Sequence, residues 1–433
     1  MIRVYDSQSF FEWKGKFRME DKLTECTRRG FLRLGLGLAA GGPLALAGGC
    51  ADVTQNSIST TSQIRDDAKV AIVACTSYAV AQVQAALNQA FTLLGGIGGL
   101  VNGKTVTVKV NLTCGGTYQD QFGLPPGQSY ITDGATATAL ASVLFSNGAA
   151  MVRFVDSAPF ALPMDQVLAS AGWDVPTLLA VGNVELENTR NLGSGTAYSI
   201  LKVVGTGYLF NYFELNHCYQ DTGVFISLAK LKQHLTAGVT LSMKNVYGST
   251  PNSLYGVGAP SESGVGYRGP LHGDGAADWD GINPPGANTS TPPTDAGSRI
   301  PRIVADINAA RPVHIGIIDG ITSMSGGEGP WAPNAAPTSP GILIAGLNQV
   351  STDAVAIALM GYPNPLAARG TPPFATCDNH LLLASQNNVG IADLLQIEVL
   401  GMSIKSALYP YPEVALRPLR AGCCMHRADA HLA

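Results

Sequence analysis

The chain has 433 residues, of which 46% are hydrophobic and 13% are charged. This composition can bury a large core, and it excludes an intrinsically disordered protein. Beyond residue 50 there are 19 basic and 26 acidic residues, a net charge of −7, and no basic tract. This charge argues against nucleic acid as a partner.

The first 50 residues have the order of an export leader. Arg28 and Arg29 are followed by Phe31, Leu32 and an apolar, glycine-rich run over residues 34–47. The order matches the twin-arginine pattern, and the run is too short for a good membrane-spanning helix. It predicts the twin-arginine machinery as a partner and a location in the periplasm or anchored outside the cytoplasmic membrane. The alternative is a chance arginine pair beside a core helix.

The end of this leader resembles a lipoprotein cleavage site at Cys50, although Ala47 stands where such sites usually have leucine. Lipidation of Cys50 would anchor the protein to the membrane, whereas ordinary cleavage nearby would not. A start at Met19 would give the leader its usual short beginning. Residues 51–68 are rich in Ser, Thr, Gln and Asp and are expected to form a flexible tether.

From residue 69 onward the pattern alternates between strands and helices. Strands are predicted at residues 69–75, 105–110, 151–155, 224–228, 313–319, 341–345 and 396–400. Helices are predicted at residues 78–94, 133–145, 300–310, 352–360 and 378–387. The alternation predicts an α/β fold with a mainly parallel or mixed sheet flanked by helices.

This α/β pattern predicts one large domain over residues 69–408. Residues 175–222 are less regular, and residues 249–300 form a Gly/Pro-rich tract. A tract of that length inside a domain is expected to be a long loop insertion. Residues 409–433 carry no periodic pattern and are expected to form an irregular tail.

Lysine is scarce and concentrated in this chain. Only eight lysines follow residue 50, and Lys230, Lys232 and Lys244 lie within 15 residues after the predicted strand 224–228. Ligands of doubly wound sheets bind beyond the carboxyl ends of the strands. Converging lysines there would suit an anion such as phosphate or carboxylate. The alternative is that each lysine is a solvated surface residue.

Other polar residues follow predicted strands at the same edge. Lys109 and Asn111 end one strand, Asp156 ends the next, and Asp319 ends a later one. Asn245 follows Lys244 at the end of a predicted helical turn, which by itself can be an ordinary helix exit. We expect these side chains to converge on one ligand.

Three further residues form a candidate site for a divalent metal. They are His234, His272 and Glu328, and imidazole with carboxylate suits transition metals. Their spacing matches no short metal motif, and a structural role for each histidine is the alternative. The eight cysteines contain no CxxC, which argues against a bound iron–sulfur cluster. One or two disulfides would suit an oxidising compartment.

The ordered part of the chain, residues 69–401, resembles domain-of-unknown-function family 362. The resemblance rests on Val-Lys-Val-Asn at 108–111, Lys-Leu-Lys-Gln-His at 230–234, Lys-Asn-Val-Tyr-Gly at 244–248, Ile-Asp-Gly at 318–320 and Gly-Glu-Gly-Pro at 327–330. Asn348 replaces the first aspartate of a later motif, so the resemblance carries over only Asp353. Many family members carry a ferredoxin-like cluster module, which this chain lacks, and this argues against electron transfer.

These observations predict an enzyme or enzyme-like protein that acts on a small anionic substrate. The predicted catalytic residues are His234, Lys232 and Asp319, with His234 as general acid/base or metal ligand. The predicted ligand-binding residues are Lys109, Asn111, Asp156, Lys230, Lys244, Asn245 and Asp353. The alternatives are a non-catalytic envelope protein that binds an anion or a divalent metal, and a structural envelope lipoprotein.

Overall fold

The computed structural model describes residues 66–413, except residues 115, 159, 264–265 and 274–276. These residues fall within one compact unit, Thr61–Ala433. The predicted leader, Cys50, most of the tether and most of the tail lie outside the described residues. Within residues 66–413, no helix is both long enough and apolar enough to span a bilayer.

Fourteen strands are found in the described residues. They are β1 (Lys69–Ala74), β2 (Thr105–Lys109), β3 (Met151–Asp156), β4 (Val184–Asn188), β5 (Ser199–Lys202), β6 (Tyr212–Leu215), β7 (Val224–Lys230), β8 (Gln233–His234), β9 (Gly238–Val239), β10 (Ile315–Gly320), β11 (Ser323–Ser325), β12 (Ala336–Thr338), β13 (Ile342–Gly346) and β14 (Glu398–Gly401).

Eleven α-helices are found in the same residues. They are α1 (Val80–Leu93), α2 (Gly98–Val101), α3 (Gly134–Ser146), α4 (Met164–Ser170), α5 (Val175–Leu179), α6 (Leu241–Tyr247), α7 (Asn252–Tyr255), α8 (Gly269–His272), α9 (Ala296–Ala310), α10 (Gln349–Leu359) and α11 (His380–Gln386). Short 3-10 turns occur at Pro126–Gln128, His217–Tyr219 and Leu394–Gln396.

Eight strands form the central sheet, in the order β14-β1-β13-β10-β7-β2-β3-β4. All neighbours pair in parallel except β13, which is antiparallel to both β1 and β10. The α/β class and the mixed, mainly parallel sheet predicted from the sequence are therefore confirmed. The carboxyl ends of the parallel strands meet at one edge of the sheet, where such folds bind ligands.

Alternate strand residues face two hydrophobic cores, one on each side of the sheet. In β7, Ile226 and Leu228 belong to the core that contains residues of α1 and α3, whereas Phe225 belongs to the core with α6, α9 and α10. The charged residues at the ends of these strands therefore emerge between two layers of helices.

The predicted start of the third helix has a clear physical cause. Asp133 precedes α3, and its side chain accepts a hydrogen bond from the backbone N–H of Ala135 at 2.8 Å. Gly148 follows the helix with φ of 90°, a conformation that favours glycine. An N-cap of this kind contributes about 1 kcal/mol to helix stability.

Two parts of the chain hold more structure than their sequence pattern indicates. The irregular region contains β4, whose Val-Glu-Leu-Glu-Asn sequence is only half-buried because this strand lies at the sheet edge. The Gly/Pro-rich tract contains α7, α8 and the start of α9. Its Tyr255, Leu271 and Trp279 are buried in the core beside α9, so the tract contributes apolar surface to the fold.

Candidate functional site

The structure brings the strand-end charges together at the carboxyl edge of the sheet. The last residues of β2, β3 and β7 are Lys109, Asp156 and Lys230. Asp319 is the second-to-last residue of β10. Each has at most 5% of its surface exposed. A buried charge is costly unless it is paired or hydrogen-bonded, so the partners of each lysine decide what it can do.

Lys230 forms a complete set of interactions inside the protein. Its Nζ lies 3.2 Å from Asp319 Oδ2, and it is 2.7 Å from the carbonyl oxygen of Thr322 and 2.9 Å from that of Gly127. The hydroxyl of Tyr78 lies 2.9 Å from the same nitrogen and donates to Asp319 Oδ1 at 3.1 Å. Three ammonium hydrogens thus face four protein acceptors, which leaves none for a ligand.

Lys109 is paired in the same way. Its Nζ lies 2.7 Å from Asp156 Oδ1 and donates to the carbonyl oxygen of Val110 at 2.7 Å. Asn245 Oδ1 lies 3.4 Å from that nitrogen, and the amide of Asn245 donates back to the Lys109 carbonyl at 3.0 Å. Burial lowers the pKa of Lys109, and the charge of Asp156 opposes this effect.

Lys232 contacts no carboxylate in the described part of the chain, but its hydrogens are also occupied. Its Nζ donates to the carbonyl oxygens of Tyr130 at 2.5 Å and Glu328 at 2.7 Å, and to Asn111 Oδ1 at 3.3 Å. Burial lowers the pKa of Lys232 well below its ordinary value, and the charge of the Glu328 carboxylate acts in the opposite direction. The predicted catalytic lysine therefore joins three loops through their oxygens.

Lys244 differs from the other three buried lysines. It lies in α6 with 9% of its surface exposed, and its Nζ sits 4.0 Å from the ring centroid of Tyr247. It makes no hydrogen bond or ion pair with the described residues. Burial lowers the pKa of Lys244 to about 7, with the Glu328 charge opposing and the charges of Arg268 and Lys109 adding to the shift.

The position of α6 depends on the predicted ligand-binding residue Asp353. This carboxylate is fully buried and accepts hydrogen bonds from the backbone N–H groups of Ser242 and Met243, both at 2.8 Å. It thus satisfies two of the donors in the first helical turn, which otherwise have no partner within the helix. Leu241 begins α6 with φ of 47°, a strained conformation for leucine. Asp353 therefore positions the helix that carries Lys244.

Three histidines and one glutamate surround Lys244, and we call these five residues the Lys244 cluster. The histidines come from three separate segments, β8, α8 and α11. Burial, with a further contribution from the Lys244 charge, lowers the pKa of all three, to about 4 for His272 and about 3 for His380. The members are His234, Lys244, His272, Glu328 and His380.

The hydrogen bonds of two of these rings indicate which nitrogen carries the proton. The backbone N–H of Thr236 donates to His234 Nδ1 at 3.2 Å, so the neutral ring carries its proton on Nε2. His272 Nδ1 lies 2.6 Å from the carbonyl oxygen of Arg268 and donates to it, which leaves Nε2 as an acceptor. The cluster therefore contains one ring N–H donor, on His234, and one ring-nitrogen acceptor, on His272.

Glu328 is held by two donors. The backbone N–H of Leu235 donates to Oε2 at 2.9 Å, and the indole of Trp331 donates to Oε1 at 2.8 Å. His234 Nδ1 lies 3.8 Å from Oε2. His380 lies deeper, and neither of its ring nitrogens has a hydrogen-bond partner among the described residues.

The predicted metal site is not assembled as a coordination shell. The donor atoms of His234, His272 and Glu328 do not form a group within 4.8 Å, and His234 would need the opposite tautomer to use Nε2 as a ligand. A divalent metal there stays a prediction. In residues 66–413, a group that meets this distance is formed by Glu187, His217 and Cys218. The four described cysteines are all free thiols.

Several residues of this edge were missed by the sequence reasoning. In the sequence, Tyr78 and His380 are recognisable only as members of predicted helices. Arg268 lies in the Gly/Pro-rich tract and donates to the carbonyl oxygens of Ser157 at 2.7 Å and Gly248 at 3.0 Å. An arginine in a tract with so few basic residues, where Arg299 is the other one, is the signal that could have marked it.

A cleft of about 550 Å³ opens beside β4, and its lining does not include the Lys244 cluster. Arg190 lines it together with Asn188. The Nε and Nη2 atoms of Arg190 are buried without a hydrogen-bond partner in the described part of the chain. Size favours this cleft as a ligand site, whereas the density of titratable groups favours the Lys244 cluster. The Lys244 cluster is the stronger candidate, because volume alone does not define a function.

The fold and this edge define an α/β protein with buried lysines at the carboxyl ends of its parallel strands. The chain belongs to the family described as Domain of unknown function (DUF362), whose model matches residues 106–358. That range contains every residue discussed above from Lys109 to Asp353. No curated protein and no solved structure matches the chain.

The buried pair of Lys230 and Asp319 is expected to be strongly coupled. Removal of either partner alone, as in Lys230→Met or Asp319→Leu, should lower the free energy of unfolding by roughly 3–5 kcal/mol, because one uncompensated charge stays buried. The double variant should lose clearly less than the sum of the two. Urea unfolding of the four proteins measures this coupling, and additive losses would contradict the assignment.

The low pKa of Lys244 has a consequence for stability. The lysine titrates near pH 7 in the folded state and near its ordinary value of 10.5 in the unfolded state. The unfolded state therefore binds more protons between these values, so the cost of burying the charge is complete below pH 7 and disappears as pH rises to about 10.5.

Lys244→Met should therefore be more stable than the native protein at pH 6, by on the order of 4 kcal/mol at most. The gain should shrink toward zero at pH 10, as measured by urea unfolding at each pH. Lys202→Met, which replaces an exposed lysine, is the matched control and should show no such trend. A gain that does not depend on pH would refute the low pKa.

Proposed function

We propose that this protein is an enzyme that acts on a small anionic substrate at the Lys244 cluster. The observation that carries the proposal is that Lys244 is the one of four buried lysines without a hydrogen bond or ion pair to the described residues. A cation in this position attracts an anion, because the anion would serve as the negatively charged partner that the described residues do not provide.

The proposed roles follow from the protonation of each group. With a pKa of about 7, Lys244 is present both as ammonium and as amine near neutral pH, which suits proton transfer. His234 remains neutral and presents its Nε2–H as a hydrogen-bond donor to a substrate oxygen. His272 presents Nε2 as an acceptor for a substrate hydroxyl. Glu328 balances the charge of the cluster.

This proposal changes the roles that the sequence suggested. Lys232 and Asp319 hold the frame of the site, because their polar atoms are engaged with protein groups. The acid/base role moves from His234 to Lys244, because a histidine with a strongly lowered pKa is a poor base at neutral pH. Lys109 and Lys230 likewise stabilise the strand ends rather than bind the substrate.

We propose that the enzyme works at the cell envelope after twin-arginine export, because the leader sequence has that order. The main competing function is a non-catalytic binding protein for the same anion. Arg190 favours this alternative, since the residue lines a cleft large enough for a small molecule and two of its guanidinium nitrogens have no hydrogen-bond partner among the described residues.

Anion binding can be tested by thermal unfolding of the full-length protein with phosphate, acetate and a dicarboxylate as probes. We expect at least one of them to raise the Tm of the native protein and of Lys202→Met, but not of Lys244→Met. Binding that survives in Lys244→Met and disappears in Arg190→Met would overturn the proposal and place the anion in the cleft.

Turnover separates the enzyme from the binding protein. A panel of small carboxylates and phosphate esters should contain a substrate whose conversion falls by at least about 100-fold in Lys244→Met, as for loss of a general acid/base. His234→Gln should reduce the rate less. Ligand-dependent stabilisation with no conversion of any panel member would contradict the enzymatic proposal and support the binding protein.

A further inference from the structure

A second group of chemically active side chains lies at the carboxyl end of β4, apart from the residues assigned to the substrate. Glu187 comes from β4, and His217 and Cys218 come from the 3-10 turn that follows β6. One donor atom from each of these three residues lies within 4.8 Å of the other two. Glu187 and His217 are partly buried, and Cys218 is fully buried.

The spacing of these donor atoms matches a coordination shell. His217 Nε2 lies 3.2 Å from Glu187 Oε1 and 3.7 Å from Cys218 Sγ. Zinc bonds of about 2.0 Å to nitrogen or oxygen and about 2.3 Å to sulfur, arranged tetrahedrally, separate the donors by roughly 3.3–3.6 Å. A cation can therefore enter with only small movements of the three side chains.

A short glycine-containing loop closes over the group. A Cβ on Gly193 would lie 2.1 Å from Glu187 Oε1, and a Cβ on Gly195 would lie 2.6 Å from the His217 ring. Larger residues at either position would push the donors apart. Between the two glycines, Ser194 donates from Oγ to Glu187 Oε2 at 2.5 Å. The Gly-Ser-Gly sequence thus lets the backbone approach both ligands closely.

Asn216 positions both Glu187 and Cys218 through hydrogen bonds. Its Nδ2 donates to Glu187 Oε1 at 2.9 Å, while its Oδ1 accepts from the backbone N–H of Cys218 at 2.9 Å. On the other side of the imidazole, Asp221 Oδ2 lies 3.9 Å from His217 Nδ1. A carboxylate in that position favours the tautomer in which Nε2 is free to bind a metal.

The outer side of the group is open. Ser194 is exposed and its Oγ lies 3.0 Å from His217 Nε2, so a fourth ligand can come from this hydroxyl or from water. Glu187 and Ser194 also line the cleft of about 550 Å³ beside β4. Three protein donors with one open position is the arrangement of zinc sites that interact with a substrate or water.

We propose that Glu187, His217 and Cys218 bind a divalent cation of the zinc class, with its open position facing the cleft beside β4. One thiolate, one imidazole and one carboxylate select such a metal over magnesium or calcium, which prefer oxygen ligands alone. Binding replaces the proton of the Cys218 thiol and any proton on His217 Nε2, and both are released to solvent. The affinity therefore falls as the pH is lowered.

Cobalt(II) is the sharpest probe, because a cobalt–thiolate bond gives a charge-transfer band in the near ultraviolet and tetrahedral cobalt gives intense visible bands. The full-length protein, with thiols reduced and residual metal removed by a chelator, should bind one equivalent with both signals, and zinc should displace it. Cys218→Ser should abolish the thiolate band. His217→Gln and Glu187→Gln should each weaken binding by at least about tenfold.

Two controls address the other cysteines. Cys377→Ser removes a buried thiol elsewhere in the fold, and Cys423→Ser/Cys424→Ser removes the two thiols near the end of the chain. Both proteins should keep the band. The proposal is overturned if cobalt binds without a thiolate band, if the band survives in Cys218→Ser, or if it disappears with Cys423→Ser/Cys424→Ser. Circular dichroism of each variant confirms that the fold is retained.

Discussion

The buried ion pair between Lys230 and Asp319 is the interaction on which the carboxyl edge of this sheet depends. Both residues have no exposed surface, and they lie opposite each other at the carboxyl ends of the central strands β7 and β10, which pair in parallel. Through Tyr78, Thr322 and Gly127 the pair also fixes the segments that follow β1, β10 and the loop before α3. A charge this deep requires every one of these partners, so the edge forms as one unit.

The need of a buried ammonium group for protein partners also distinguishes the four buried lysines from one another. Three lysines donate their ammonium hydrogens to protein oxygens and therefore stabilise the fold. They are Lys109, Lys230 and Lys232. Lys244 lies on a helix held by Asp353, and its ammonium sits over the ring of Tyr247 without a hydrogen bond or ion pair to the described residues. The three lysines between residues 230 and 244 thus differ: Lys230 and Lys232 stabilise the fold, whereas we propose a functional role for Lys244.

The sequence predicted the fold class, seven of the eight strands of the central sheet, five of the eleven helices in the described residues, and the edge at which the polar residues meet. Apolar runs that end in Lys or Asp carry that information locally. It could not show that β13 runs antiparallel, because an apolar run reads the same in both directions. Nor could it show which lysine lacks partners, because the acceptors of Lys232 are carbonyl oxygens from distant loops, such as those of Tyr130 and Glu328.

The same reason explains the residues that were missed. His217 and Cys218 are neighbours without a ligand spacing, and they gain a third donor only when sheet pairing brings β4 and Glu187 beside them. The reverse holds for His234, His272 and Glu328, which fold into one cluster without their donor atoms forming a shell. Spacing along the chain therefore identified neither group as it occurs in the fold, and the folded contacts decide what each residue can do.

Under the proposed function, Lys244 is the buried lysine whose amine can react, because it has no hydrogen bond or ion pair to the described residues. Competitive acetylation with trace acetic anhydride over a range of pH, read for each lysine by mass spectrometry, measures this directly. We expect acetylation of Lys244 with a midpoint near pH 7, protection of Lys109, Lys230 and Lys232, and labelling of the exposed Lys104 and Lys202. Protection of Lys244 together with labelling of Lys230 or Lys232 would contradict this expectation.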